Sequence, residues 1–155
     1  MNQYGVSENS YIKNDGIFRS ETTLGARHEL ETSANTFENL WRLEASKDST
    51  LKVSGDALIN RLDSNVSSSV EGASVLLNFD SIEHSGQMRA ESGGALTLAP
   101  KKAVRGTMQA GLSTEGNGYV YALGKDGNDK SSLVKLDKMD ITGGCFFAQQ
   151  GGSIE

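Results

Sequence analysis

The sequence predicts an all-β fold that is elongated rather than compact, and three observations predict it. Short segments of alternating apolar and polar residues recur from Trp41 to Leu136. Turns rich in Gly, Ser, Asn or Asp separate them. Large apolar side chains are scarce, with 36% hydrophobic and 6% aromatic residues among 155. Alternation with a period of two marks a strand with one buried face, and so thin a supply of apolar side chains makes a poor core for a compact monomer.

Residues 1–15 are mostly polar, carry two tyrosines, Tyr4 and Tyr11, and read as a leading arm. Residues 16–43 are ambiguous. The run from Thr32 to Trp41 could start a short helix capped by Ser33 or Asn35, yet its β-branched and Asn content suits extended backbone, which we adopt. We therefore divide the chain into an N-terminal arm and junction segment, 1–43, and a β-rich shaft or tip module, 44–155. Trp41, with Phe37, Leu40 and Leu43 nearby in sequence, is expected to anchor the junction as a structural core residue.

Strands are expected at 41–45, 51–53, 75–79, 95–99, 119–123 and 133–136, with Val75, Leu77, Leu96 and Leu98 among the inward core residues. Turns are expected at 46–49, 54–56, 63–65, 92–94, 115–118, 126–129 and 143–144, where Gly supplies positive φ and Asn or Asp tolerates it. Two architectures suit this pattern. One is an intertwined homotrimer of the triple β-helix or β-prism type, in which copies share a core; the other is a single-chain β-solenoid. The uneven spacing of the strands favours the trimer.

The formal net charge of −5 arises from 20 acidic and 15 basic residues of mixed order. No basic run tracks a phosphate backbone, so nucleic acid is not an expected partner. No run of 18 apolar residues is present, so no membrane insertion is expected, and the polar N-terminus lacks the blocks of a signal peptide, which points to synthesis in a cytoplasm. A single cysteine, Cys145, cannot form an internal disulfide and reads as a small buried residue beside Phe146 and Phe147.

The stretch 39–57, which includes Trp41-Arg42-Leu43-Glu44-Ala45 and Asp48-Ser49-Thr50-Leu51-Lys52-Val53-Ser54-Gly55-Asp56-Ala57, resembles rungs in the shafts of tailed-bacteriophage tail fibres and tailspikes. Ala90-Glu91-Ser92-Gly93-Gly94-Ala95-Leu96-Thr97-Leu98 is similar to a further rung. The resemblance implies a homotrimer in a virion tail. It would contact neighbouring tail proteins and a host-surface receptor, either a glycan such as lipopolysaccharide or an outer-membrane protein. The iron-binding His-x-His repeats of some long fibres are missing, since His28 and His84 stand alone. Whole fibres are much longer, so the chain is expected to be a fragment, a tip or a small accessory fibre.

Chemistry-bearing motifs are few. His28 and His84 have no Cys or carboxylate at ligand spacing, so no metal is expected and each reads as a surface or hydrogen-bonded histidine. Asp126-Gly127-Asn128-Asp129 carries part of a calcium-loop pattern, but lacks its alternating ligands and terminal Glu, and reads as a hairpin turn. Neither a phosphate loop nor a Gly-x-Ser-x-Gly elbow occurs, and no cofactor is expected.

Asp56, Asp63, Asp80, Glu83 and Glu91 could supply the paired acids of a polysaccharide-degrading tailspike fragment, a minority alternative to solvated surface acids. A bacterial surface adhesin with a β-solenoid passenger is a second alternative. For recognition, Tyr119 and Tyr121 are the candidate receptor-binding residues: in a strand they share one face and Val120 takes the other. The competing and favoured arrangement packs the tyrosines between subunits and turns Val120 outward.

Overall fold

Long alternating runs form long strands, and the pattern of their burial reveals how the chain coils. In a computed structural model describing residues 10–21, 28–99, 110–114, 118–123, 132–137, 139–142 and 145–155, the chain is a parallel β-solenoid. No helix occurs among the described residues.

Strands β1 (Tyr11–Asn14) and β2 (Ile17–Ser20) open the coil. A full turn follows, made of β3 (His28–Ser33), β4 (Thr36–Asn39) and β5 (Arg42–Ala45). In the next two turns the first two segments are fused into one strand: β6 (Ser49–Asn60) precedes β7 (Asn65–Ser68), and β8 (Ser74–His84) precedes β9 (Gln87–Glu91). Three segments return in β10 (Ala95–Ala99), β11 (Ala110–Thr114) and β12 (Tyr119–Leu123), then in β13 (Leu133–Leu136), β14 (Met139–Thr142) and β15 (Cys145–Gln149). Strand β16 (Ser153–Ile154) adds to β13.

All pairings between described strands are parallel, each segment lying on the equivalent segment one turn away. The Gly- and Asn-rich turns therefore carry the chain around corners instead of reversing it in hairpins. Parallel pairing in exact register stacks like on like. Leu51, Val75, Leu96 and Val134 form one inward column, and Val53, Leu77 and Leu98 form a second. Phe37, Leu58 and Ile82 form a third, and Leu43, Val66, Met88 and Val120 a fourth. All are fully buried within the single chain. The thin apolar supply is thus no obstacle: a solenoid needs only a narrow core per turn, and its neighbours above and below complete it. The expected dependence of the core on other copies is accordingly replaced by self-closure.

The expected turn at 54–56 is instead a bend inside β6. Inward–outward alternation slips there, because Asp56 and Ala57 both face out, and both their amides donate to the Asn35 carbonyl at 2.9 Å. Two residues opposite one carbonyl is the signature of a bulge, which turns a strand without breaking it. Gly55 is required at this corner, since a Cβ would lie 1.9 Å from the Ala34 carbonyl oxygen. The same slip recurs in β8 at Asp80 and Ser81. The turn at 46–49 holds Asp48 at φ 55°, and that at 92–94 holds Ser92 and Gly93 at φ 51° and 89°.

The boundary drawn after Leu43 falls within β5, and β6 pairs with both β3 and β4. Thr32 to Trp41 is extended rather than helical, as its β-branched and Asn content suggested. Two expectations are corrected. Trp41 is not a core residue: it is 45% exposed, because the corner between β4 and β5 lifts it outward while Phe37 and Leu43 turn in. Cys145 is exposed, because the inward position on β15 falls to Phe146. The turns at 115–117, 126–129 and 143–144 lie outside the described residues.

A column of amides lies at the corner that follows β4, β6 and the second half of β8. Asn14, Asn39, Asn60 and His84 are stacked in register. Each donates to the next: Asn14 Nδ2 to Asn39 Oδ1 (2.9 Å), Asn39 Nδ2 to Asn60 Oδ1 (2.8 Å), and Asn60 Nδ2 to His84 Nδ1 (2.9 Å). His84 Nε2 then donates to the Tyr119 carbonyl at 2.9 Å. Asn39, Asn60 and His84 are buried, so these bonds satisfy groups that would be costly to leave unmet.

Replacing Leu96 with Ala is expected to lower unfolding free energy by about 2–5 kcal/mol, and the same change at the exposed Leu62 by less than about 0.5 kcal/mol. Urea denaturation of the two variants measures this, and equal losses would contradict the single-chain core.

Candidate functional site

The sheet β2-β5-β7-β9-β12-β15 presents a continuous outer face. Its register that buries Leu43, Val66, Met88 and Val120 turns two other columns outward. One runs Arg42, Asn65, Gln87, Tyr119 and Cys145; the other runs Glu44, Ser67, Arg89, Tyr121 and Phe147. Val120 is buried, so the expectation that it faces outward is corrected, and Tyr119 and Tyr121 lie on the outer face of the chain.

At one end of the face the columns become aromatic. Tyr121 and Phe147 stack with centroids 5.2 Å apart and ring planes at 17°, and Tyr119 stacks on Tyr121 at 5.8 Å and 25°. The Arg89 guanidinium carbon lies 5.3 Å from the Tyr121 centroid, within cation–π range. Phe147 and Arg89 were invisible as partners of Tyr121 in the sequence, where they lie 26 and 32 residues away; only the register brings them together.

Beside this platform, along the first column, is a cleft of ≈ 290 Å³ lined by Trp41, Arg42, Leu62, Asp63, Ser64, Asn65 and Gln87. Two backbone bonds join residues that line it, Asn65 N to Trp41 O (2.7 Å) and Gln87 N to Ser64 O (2.9 Å), and the next turn continues the row with Tyr119 N to Gly86 O (3.0 Å). Gly86 is close-packed here, since a Cβ would meet the Ser64 and Arg61 carbonyl oxygens at 2.4 and 2.5 Å. Arg42 lies over the Trp41 ring with its guanidinium carbon 5.7 Å from the centroid. Asn65 Oδ1 is buried without a hydrogen-bond partner, an omission that costs about 1–3 kcal/mol unless a donor meets it.

Of the acids singled out in the sequence, Asp56 and Asp80 occupy equivalent positions at the bulged corner of consecutive turns, between the register pairs Gly55–Phe79 and Ala57–Ser81, whereas Glu83 faces outward on β8 and Glu91 ends β9 within 3.5 Å of Arg89. Of the five, Asp63 is the one that lines the cleft. Among the described residues no group of three or more His, Cys, Asp or Glu could hold a metal ion. Comparison with protein-family models, curated proteins and solved structures returned no match.

Two polar arrangements brace the site from beneath and from the side. On the adjoining face the Tyr11 hydroxyl and Arg61 Nε donate to Glu38, the latter at 2.7 Å, and hold its carboxyl below the ordinary value. Beneath the platform, burial pushes the His84 pKa down, opposed by its bond to the Tyr119 carbonyl. Because the folded-state pKa lies below the ordinary 6.5, the unfolded chain takes up the proton first. Stability is then unaffected by this group above about pH 6.5, falls as the pH drops through that value, and levels off below the folded pKa. Replacing His84 with Asn, whose amide oxygen can still accept from Asn60, is expected to remove this component. Urea unfolding at about pH 7.5 and pH 5.5 tests it, and an unchanged pH dependence in the variant would rule out His84 as the source.

Proposed function

We propose that this chain is a structural and attachment module of a phage tail fibre or tailspike that engages a glycan or outer-membrane protein on a bacterial surface. The observation that carries the reading is the stacked platform of Tyr119, Tyr121 and Phe147 beside Arg89, held on the flat outer face of a rigid parallel coil. Aromatic faces of this kind supply large contact area at low conformational cost and dominate recognition hot spots. The shaft-like rungs at 39–57 and 90–98 support the placement in a virion tail. A solenoid also suits a load-bearing role, since each turn is bonded to the next along its length.

Association as a homotrimer completes the proposal. Because each chain closes its own core, three copies would meet through outer faces, alongside neighbouring tail proteins. Tyr11 and Ile17, both more than half exposed on the first two strands, offer apolar surface for such contacts.

Two measurements test the reading. Light scattering should give a solution mass of three chains that does not vary with concentration; a monomer would remove the trimer from the proposal. Binding to a panel of immobilised bacterial lipopolysaccharides should weaken roughly thirtyfold in Tyr121→Ala with unchanged circular dichroism. Wild-type binding by both Tyr121→Ala and Tyr119→Ala would discard the platform as the receptor site.

A further inference from the structure

Trp41 is the chain's single tryptophan, and it stands in an open polar cleft instead of the core. Burial would be the ordinary way to stabilise so large a ring; its 45% exposure leaves apolar surface facing solvent. The main chain that carries the ring is fixed by the Asn65 amide, which donates to the Trp41 carbonyl at 2.7 Å, and the Arg42 guanidinium carbon lies over the ring, 5.7 Å from its centroid. An aromatic face ordered before binding loses little freedom when a ligand stacks on it.

The groups around the ring define what could stack there. Asn65 Oδ1 is a buried acceptor without a partner, the Gln87 amide offers a donor and an acceptor, and Asp63 offers a carboxylate. The guanidinium of Arg42 is a donor, and it makes no salt bridge among the described residues. Arg42 and Asp63 balance in charge, so the cleft selects for neither sign. A ligand that suits it has an apolar face for Trp41 and an edge of groups that both donate and accept. Hydroxyls around a saturated ring have this property; a lipid chain has no polar edge, and a phosphate has no apolar face and would meet Asp63. Leu62, 60% exposed, also lines the cleft and adds a second apolar contact.

We infer that the Trp41 cleft is a subsite for one neutral pyranose ring of a glycan, stacked on Trp41 and hydrogen-bonded by Asn65, Gln87 and Asp63. This rests on the glycan form of the attachment reading and extends it, because the cleft and the aromatic platform adjoin. Gln87, which lines the cleft, is in register with Tyr119 on the next strand, about 4.8 Å away. A glycan seated on Trp41 therefore runs along the coil axis onto Tyr119 and Tyr121.

The single tryptophan makes the test selective, because its emission reports on the cleft alone. Methyl glycosides of glucose, galactose, mannose and N-acetylglucosamine, and neutral hexasaccharides of each sugar, are titrated into the full chain while Trp41 emission is recorded. At least one sugar is expected to shift the emission saturably. Gln87→Ala and Asn65→Ala are expected to weaken that response about tenfold or more, with circular dichroism unchanged. Should Asn65→Ala unfold, Gln87→Ala alone carries the test, since its side chain makes no described structural bond. Hexasaccharides should bind more tightly than the methyl glycosides, and Tyr121→Ala should erase that advantage but leave the methyl glycoside response intact.

Hexasaccharide binding lost in Tyr121→Ala with Trp41 emission unmoved would overturn the subsite and leave the platform standing. Trp41 responses indifferent to Tyr119→Ala and Tyr121→Ala would keep the subsite and remove the platform. Silence from all the sugars, or binding only to an outer-membrane protein, would overturn the sugar subsite.

Discussion

The buried column from Asn14 through Asn39 and Asn60 to His84 constrains the coil more tightly than its apolar stacks do. Apolar columns tolerate exchange of one branched side chain for another, because dispersion and burial have little directionality. A column of buried amides does not. The Tyr119 carbonyl can only accept, so His84 Nε2 must donate to it. The neutral ring then has only Nδ1 left as an acceptor, so Asn60 must present its amide nitrogen, and the orientation of Asn39 and Asn14 follows. One carbonyl on β12 thus sets the direction of hydrogen bonds four turns away. A slip of one residue in β4, β6 or β8 would leave buried donors and acceptors of this column unmet.

That register is also what assembles the candidate site. Parallel strands paired residue for residue place equal positions of successive turns side by side, whether they face in or out. The alternation that buries Leu43, Val66, Met88 and Val120 places Arg89, Tyr121 and Phe147 next to one another on the outside. His84 ties the two together, since the carbonyl it braces belongs to Tyr119, the first residue of the aromatic platform. The aromatic face and the polar spine beneath it therefore share a backbone and a register, and a rigid platform is the outcome.

How much of this was legible depends on the kind of signal. The strands around Val75, Leu77, Leu96, Leu98 and Tyr119 were plain in the sequence because each alternates by itself over several residues. The polar spine was not, because its members lie 21 to 25 residues apart with no local pattern, and Asn in a β-rich sequence reads as a turn residue. The uneven spacing that favoured a shared trimeric core has a different origin: strands keep their register while the connecting segments vary. β6 and β8 cross a corner without interruption, whereas residues 100–109 intervene between β10 and β11. Trp41 was misjudged from its sequence neighbours, since a corner can turn adjacent residues to opposite sides.

By itself the sequence determined that the chain is built of strands, and which side chains within each strand share a face, because both follow from period-two alternation over a few residues. It also placed Tyr119 and Tyr121 together and opposite Val120. The tertiary structure decided that pairing is parallel, that the core closes within one chain, that Trp41 is outside it, and that Arg89 and Phe147 join the tyrosines. These depend on which residue lies one turn above another. That relation is set by corner bulges, loop lengths and the directional spine of Asn and His, none of which leaves a local trace in the order of residues.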